Sequence, residues 1–179
     1  MILTGPEIER RVGEGSIVID PFDPSLINPN SYNYKLGAIL RESTPPKTKS
    51  GTENARAWVE HRIPGDGFVL MPKRYYLANT MEMIGSREFV PILIGRSSIG
   101  RLGMFLQISA DLGHLGAVHK WTLEIVVVQP LRVYSGMRIG QVSFWRPSGD
   151  IAPYSGYFGT HSHPASTPLD TTFDDSDWT

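Results

Sequence analysis

Apolar residues in this chain come in short runs, and glycine and proline separate nearly all of them. Short runs bounded by turn formers predict strands rather than long helices. The pattern predicts strands at residues 16–20 and 32–40. A denser series follows at 67–71, 74–80, 90–96, 104–108, 121–128, 131–133 and 141–145. The run 121–128 is apolar at nearly every position and reads as a strand buried on both faces. One helix is predicted near the start. Thr4 and Glu7 have capping-box spacing, Pro6 suits a first turn, and Gly13 and Gly15 can end it. Residues 41–56 are polar and rich in turn formers, and read as an exposed loop. No internal repeat is found. Many short strands with regularly spaced turns predict a mainly β domain, a sandwich or barrel with one short N-terminal helix.

The chain has 179 residues, 40% hydrophobic and 20% charged, which fits one domain able to bury a core without cross-links. A net charge of −1 gives no field for nucleic acid. There is no cysteine, so disulfides and thiolate metal sites are excluded. The zinc deaminase signature, which needs a Pro-Cys-x-x-Cys pair, is excluded with them. The longest apolar run, 123–128, is too short to span a membrane and is interrupted by Glu124. The first residues carry no basic region or long apolar run, so no signal peptide and a cytoplasmic setting are expected. Composition shifts after Pro147. Residues 1–147 are expected to form the β domain. Residues 148–179, rich in Gly, Ser, Pro and His and ending in an acidic stretch, are expected to form a C-terminal segment that is mobile unless something orders it.

Two segments carry candidate chemistry. In residues 96–103, Arg96 and Arg101 flank Ser97 and Ser98, with Gly100 and Gly103 close by. Hydroxyls, close backbone N–H groups and a bidentate guanidinium suit phosphate oxygens. The plainer reading, favoured on composition alone, is a turn with solvated arginines. In residues 121–128, Glu124 interrupts an apolar strand. Burying a carboxylate is costly unless it is paired or has a task, and burial favours the protonated form that a general acid needs. A strand-end glutamate paired with an arginine explains the same pattern equally well. His161 and His163 form an H-x-H pair, but in a Pro/Ser-rich tail such a pair is usually coincidence.

Together these segments resemble the dCTP deaminase family. Residues 96–103 follow its phosphate motif, and Thr122-Leu123-Glu124 follows its catalytic strand at matching spacing. Residues 27–37, 70–82 and 154–156 also resemble family segments, and the likeness covers about four-fifths of the chain. The resemblance implies a distorted jelly-roll or β-barrel of the dUTPase-like type. It also implies a homotrimer with sites shared between subunits, and zinc-free deamination of a nucleoside triphosphate. Glu124 would move protons, Ser97 and the carbonyl of Ala110 would place the water, and Arg101 would stand near Glu124. Arg96 and Ser98 would hold phosphates, and the backbone at Trp121 and Thr122 would read the base. His114, Gln141, Tyr154 and Tyr157 would complete the substrate site, and a magnesium ion would accompany the phosphates.

The chain departs from the family pattern at informative places. His114 replaces the aspartate that touches the sugar, unless Asp111 takes its part after a loop shift. Asn33 replaces another aspartate, and the usual phosphate-binding lysine of the tail is missing after Gly156. A neutral imidazole cannot supply a permanent negative charge. Cleavage of dUTP to pyrophosphate is therefore expected to be weak, while attack on cytosine through Glu124 is spared. The competing readings are a dUTPase-type pyrophosphatase and a catalytically silent nucleotide-binding trimer.

Overall fold

The computed structural model describes residues 1–44, 57–154 and 162–164. The element order is α1 (Gly5–Gly13), β1 (Ile17–Asp20), a 3-10 turn (Pro24–Leu26), β2 (Ile27–Asn28), β3 (Ser31–Thr44), β4 (Ala57–Arg62), β5 (Phe68–Leu70), β6 (Tyr76–Thr80), β7 (Met83–Ser86), β8 (Val90–Gly95), α2 (Ser97–Gly100), β9 (Met104–Leu106), β10 (Val118–His119), β11 (Thr122–Val127), β12 (Leu131–Val133) and β13 (Arg138–Trp145). The fold is mainly β, a nearly closed barrel-like sheet with one short helix at its start, as the strand pattern implies. Among the described residues no helix is long and apolar enough to cross a membrane.

The main sheet runs β8-β13-β3-β6-β11-β9, and β2 and β4 also pair with β3. The sheet β1-β7-β10 and the pair β12-β5 complete the fold. The organiser is β3. Residues Tyr32 to Lys35 pair with β13, and residues Leu36 to Glu42 pair with β6 across a register shift. The core lies between these strands: Tyr34, Leu36 and Leu40 of β3, Tyr76 and Ala78 of β6, Leu123 and Ile125 of β11, Val142 and Phe144 of β13. Gly140 of β13 is needed there. A Cβ on it would meet the Tyr34 ring at 2.1 Å. Its absence lets that ring cross β13 and donate its hydroxyl to the Ile94 carbonyl at 3.1 Å.

Several local expectations need correction. Thr4 is the N-cap of α1 but makes no side-chain cap bond. Glu7 pairs with Arg10 and Arg11 instead of closing a capping box. The loop expected at 41–56 is corrected at its start, because Arg41 to Thr44 finish β3 and pair with β4. Strand β4 escaped notice because it is short and charged, and residues 45–56 lie outside the described residues. The expectation of a strand buried on both faces fails for β11. Leu123, Ile125 and Val127 are buried, whereas Thr122, Glu124 and Val126 are partly exposed.

Candidate active site

Residues directly opposite in an antiparallel pair share a face of the sheet. Glu124 stands opposite Leu77, Thr122 opposite Asn79, and Leu77 opposite Arg41 on the other side. Arg41, Leu77 and Glu124 therefore form one row across β3, β6 and β11, on the face away from the core. Val126 stands opposite Phe105 of β9, which is 47% exposed. Glu124 is the third residue of β11, not a strand end. Among the described residues no ion pair joins it to an arginine. Its Oε2 accepts from Ser109 Oγ at 3.2 Å. The plain reading of a paired strand-end carboxylate does not describe it.

The turn after β9 wraps this carboxylate. The strand ends at Leu106, short of residue 108, because Gln107 takes φ 50°. A non-glycine residue held at such an angle costs on the order of 1–3 kcal/mol. Gln107 donates its backbone N–H to the Glu124 carbonyl at 3.2 Å. Its side-chain Oε1 accepts the Glu124 N–H at 2.9 Å, and its Nε2 donates to the Ala110 carbonyl at 3.0 Å. Glu124, Ser109 and Ala110 are thus one cluster. Gln107 and Ser109 were not foreseen: in one sequence they are a polar residue at a strand end and a turn serine.

The start of β11 is fixed from the other side. Thr80 is fully buried. Its hydroxyl accepts the Trp121 N–H at 2.9 Å and donates to the Glu82 carbonyl at 2.7 Å. Thr80 N–H donates to the Trp121 carbonyl at 2.9 Å, and the Trp121 indole donates to the Ile84 carbonyl at 2.8 Å. Both backbone groups of Trp121, one of the two residues expected to read a base, are engaged with Thr80 in the single chain. Backbone groups alternate in direction along a strand. Those of Thr122 therefore point with those of Glu124 toward the β9 side, beyond the last β9 residue. Glu82 lies behind this joint with a fully buried side chain. Burial holds its carboxyl above the ordinary value of 4.5, opposed by the Lys35 N–H at 2.9 Å.

The other expected site residues lie elsewhere in the single chain. Arg96 precedes α2 and reaches the Arg138 carbonyl at 3.4 Å. Ser97, Ser98 and Arg101 are exposed on the α2 turn. That turn joins β9 at the far end of β11, where Val128 N–H donates to Gly103 O at 2.9 Å. Val128 is four positions along the chain from Glu124, about 13 Å at the usual strand rise. Nothing in the described contacts brings Ser97 or Arg101 to Glu124. Gln141 on β13 accepts from Ser31 Oγ at 2.6 Å. The His114 ring stacks on Tyr154 with centroids 4.4 Å apart, and Tyr154 N–H donates to Leu115 O at 2.8 Å. The loop carrying His114 lies close over β7 because Gly85 leaves room; a Cβ there would meet Ala117 O at 2.0 Å. Tyr157 and His161 lie outside the described residues. Ser162 and Pro164 cover the Glu124 face, accepting from Asn79 Nδ2 at 3.5 Å and Arg41 Nη1 at 3.0 Å.

A family model described as dCTP deaminase-like matches residues 2–147. The chain belongs to that family. It is 45% identical over 155 residues to a Leptospira biflexa protein called "dCTP deaminase, dUMP-forming", covering 86% of this chain and 87% of the relative. A Clostridium acetobutylicum protein of the same name is 42% identical over 163 residues, covering 87% and 88%. A dCTP deaminase of Rhodopirellula baltica is 43% identical over 150 residues, covering 84% and 74%. The crystal structure of 2'-deoxycytidine 5'-triphosphate deaminase from Agrobacterium tumefaciens shares the fold, with TM-score 0.64 at 22% identity. The match covers 80% of this chain and 47% of that one, so the chain spans about half its length.

Proposed function

We propose that this member of the dCTP deaminase-like family hydrolyses the exocyclic amine of dCTP, giving dUTP and ammonia, with Glu124 as general acid and base. The observation that carries the assignment to Glu124 is its place on the outer face of β11, linked through Gln107 to the Ala110 carbonyl and, among the described residues, without an arginine ion pair. Water bound between Ser97 of a neighbouring copy and the Ala110 carbonyl gives a proton to Glu124 as its oxygen bonds to C4. Glu124 passes that proton to N3. It then moves the second water proton to the amine, the C4–N bond breaks, and ammonia leaves. Positioned proton transfer of this kind contributes about 10²–10⁴-fold. Glu124→Gln should lose about that much turnover while folding normally by circular dichroism, and near wild-type turnover would exclude the assignment.

The proposed assembly is a homotrimer. Its support is the separation of the Arg96 to Arg101 turn from Glu124 in one chain. The apolar Ile94, Leu102 and Phe105, each more than 40% exposed, offer a surface to a second copy. In the assembly Arg96 and Ser98 of one copy hold the phosphates and Arg101 approaches Glu124 of the next. Thr122 reads the base, while His114, Gln141, Tyr154 and Tyr157 complete the pocket, and residues 148–179 close over it. Magnesium enters with the triphosphate as part of the substrate. Among the described residues no cluster of three or more His, Asp or Glu is placed to hold a metal, and the phosphate oxygens are its proposed ligands. The water is activated by a carboxylate rather than by zinc, and the setting is cytoplasmic.

A second reading concerns the product. The Leptospira and Clostridium relatives are named for forming dUMP. Against it stands His114, whose ring is stacked on Tyr154 and brings no negative charge. Ammonia and pyrophosphate measured together from dCTP decide between them. Ammonia without pyrophosphate supports dUTP release, and equimolar amounts establish dUMP formation.

A further inference from the structure

We propose that Gln107 is a positioning residue for this reaction, and that its carboxamide fixes the Ala110 carbonyl relative to Glu124. In a hydrogen-bonded antiparallel pair, two opposed residues exchange both backbone bonds. Gln107 keeps only half of that exchange. Its N–H reaches the Glu124 carbonyl at 3.2 Å. At φ 50° the chain has left the strand, and the side-chain Oε1 takes the Glu124 N–H at 2.9 Å. The side chain thus stands in for a backbone partner. A backbone carbonyl would only accept, whereas the carboxamide also carries a donor. That donor, Nε2, holds the Ala110 carbonyl at 3.0 Å. One planar, uncharged group therefore grips the strand at Glu124 and the carbonyl proposed to orient the attacking water. Ser109, between Gln107 and Ala110 in sequence, ties the same turn to the carboxylate itself at 3.2 Å.

The chemistry explains why this residue type is needed. A leucine offers neither donor nor acceptor. An ionised glutamate accepts but cannot donate to Ala110, and it adds a charge beside Glu124. A glycine adopts the positive φ without strain but has nothing to grip with. If Gln107 served only to end β9, glycine would be as good or better.

The inference rests on the proposed role of Glu124, so Glu124→Gln is assayed alongside three variants of residue 107 in the full chain. Gln107→Leu and Gln107→Gly should each lower kcat for dCTP about 10-fold to 100-fold, the scale of a small misplacement of reacting groups. KM should stay within about threefold, since substrate contacts are untouched. Gln107→Gly should melt no lower than the wild type, which separates the loss of the grip from a loss of folding. Gln107→Glu should be impaired at neutral pH, and its turnover relative to wild type should climb as pH falls, because the protonated acid regains a donor. Wild-type kcat in the leucine and glycine variants, or a pH-independent ratio for the glutamate variant, overturns the inference. If Glu124→Gln is inactive in the same experiment, only the role of Gln107 fails; if Glu124→Gln is fully active, the deamination mechanism fails with it.

Discussion

Replacing Thr80 by valine should expose how much of the site depends on one buried hydroxyl. The two side chains have nearly the same shape, so the change removes polarity with little cavity. Two bonds go: Trp121 N–H to Oγ1 at 2.9 Å, and Oγ1–H to the Glu82 carbonyl at 2.7 Å. Each bond of this kind contributes about 1 kcal/mol net, and a buried donor left unsatisfied costs about 1–3 kcal/mol. Among the described residues the Trp121 N–H has no second acceptor: Thr80 is fully buried and the neighbouring Ile84 carbonyl already takes the indole. The Glu82 carbonyl loses its donor as well. The expected loss is about 2–4 kcal/mol, a large share of the roughly 5–15 kcal/mol that holds a domain together. Thr80→Ser is the control, since it keeps the hydroxyl and loses one methyl, worth about 0.8 kcal/mol. Urea unfolding followed by tryptophan fluorescence, at one protein concentration and with the slope m checked for constancy, measures both. If the valine variant is no less stable than the serine variant, the joint between β6 and β11 is not held by this hydroxyl and the reasoning is wrong.

Two further outcomes follow from the packing and the buried charge. Gly140→Ala should lower stability by about 1–3 kcal/mol or more, because the new methyl would enter the fixed Tyr34 ring; an unchanged Tm in a thermal scan would refute that contact. Glu82→Gln should flatten the pH dependence of stability. The folded-state pKa of Glu82 lies above its ordinary value of 4.5, mainly through burial, so its contribution is intact below 4.5 and is lost as pH rises through the folded value. Glutamine keeps the acceptor for Lys35 N–H and has nothing to ionise, so its advantage over wild type should grow from pH 4.5 upward; parallel denaturation curves would contradict this.

The strands of the core were legible because their apolar residues alternate with turns. Residues 131–133 were placed without error, and β8 and β6 within two residues. Glu124 stood out for the same reason, as a charge in an apolar run. That run misled on burial, however, because Val126 and Val128 are apolar residues on an open face. Composition cannot distinguish a surface kept apolar from a second core. Strands β7 and β10 were missed because they are short and owe their form to partners far along the chain. Gln107 and Thr80 were invisible for another reason: their roles lie in a backbone angle and in what their polar atoms reach, and neither leaves a periodic mark. The separation of the arginine turn from Glu124 could be seen only once β9 and β11 had been paired.

The position of β13 between β3 and β8 has a consequence for how the chain is made. Both neighbours emerge from the ribosome with an unpaired edge facing the gap that β13 will fill. Between the end of β3 at Thr44 and the start of β13 at Arg138 lie roughly ninety residues, which at about 5–20 residues per second is on the order of 5–20 s of synthesis. Through that interval Tyr32 to Tyr34 of β3 lack their β13 partners, and the Tyr34 ring has no Gly140 to cross. The sheet closes late, and through its most distant pairing. A nascent chain of this protein is therefore most exposed to edge-to-edge association just before its last strand appears.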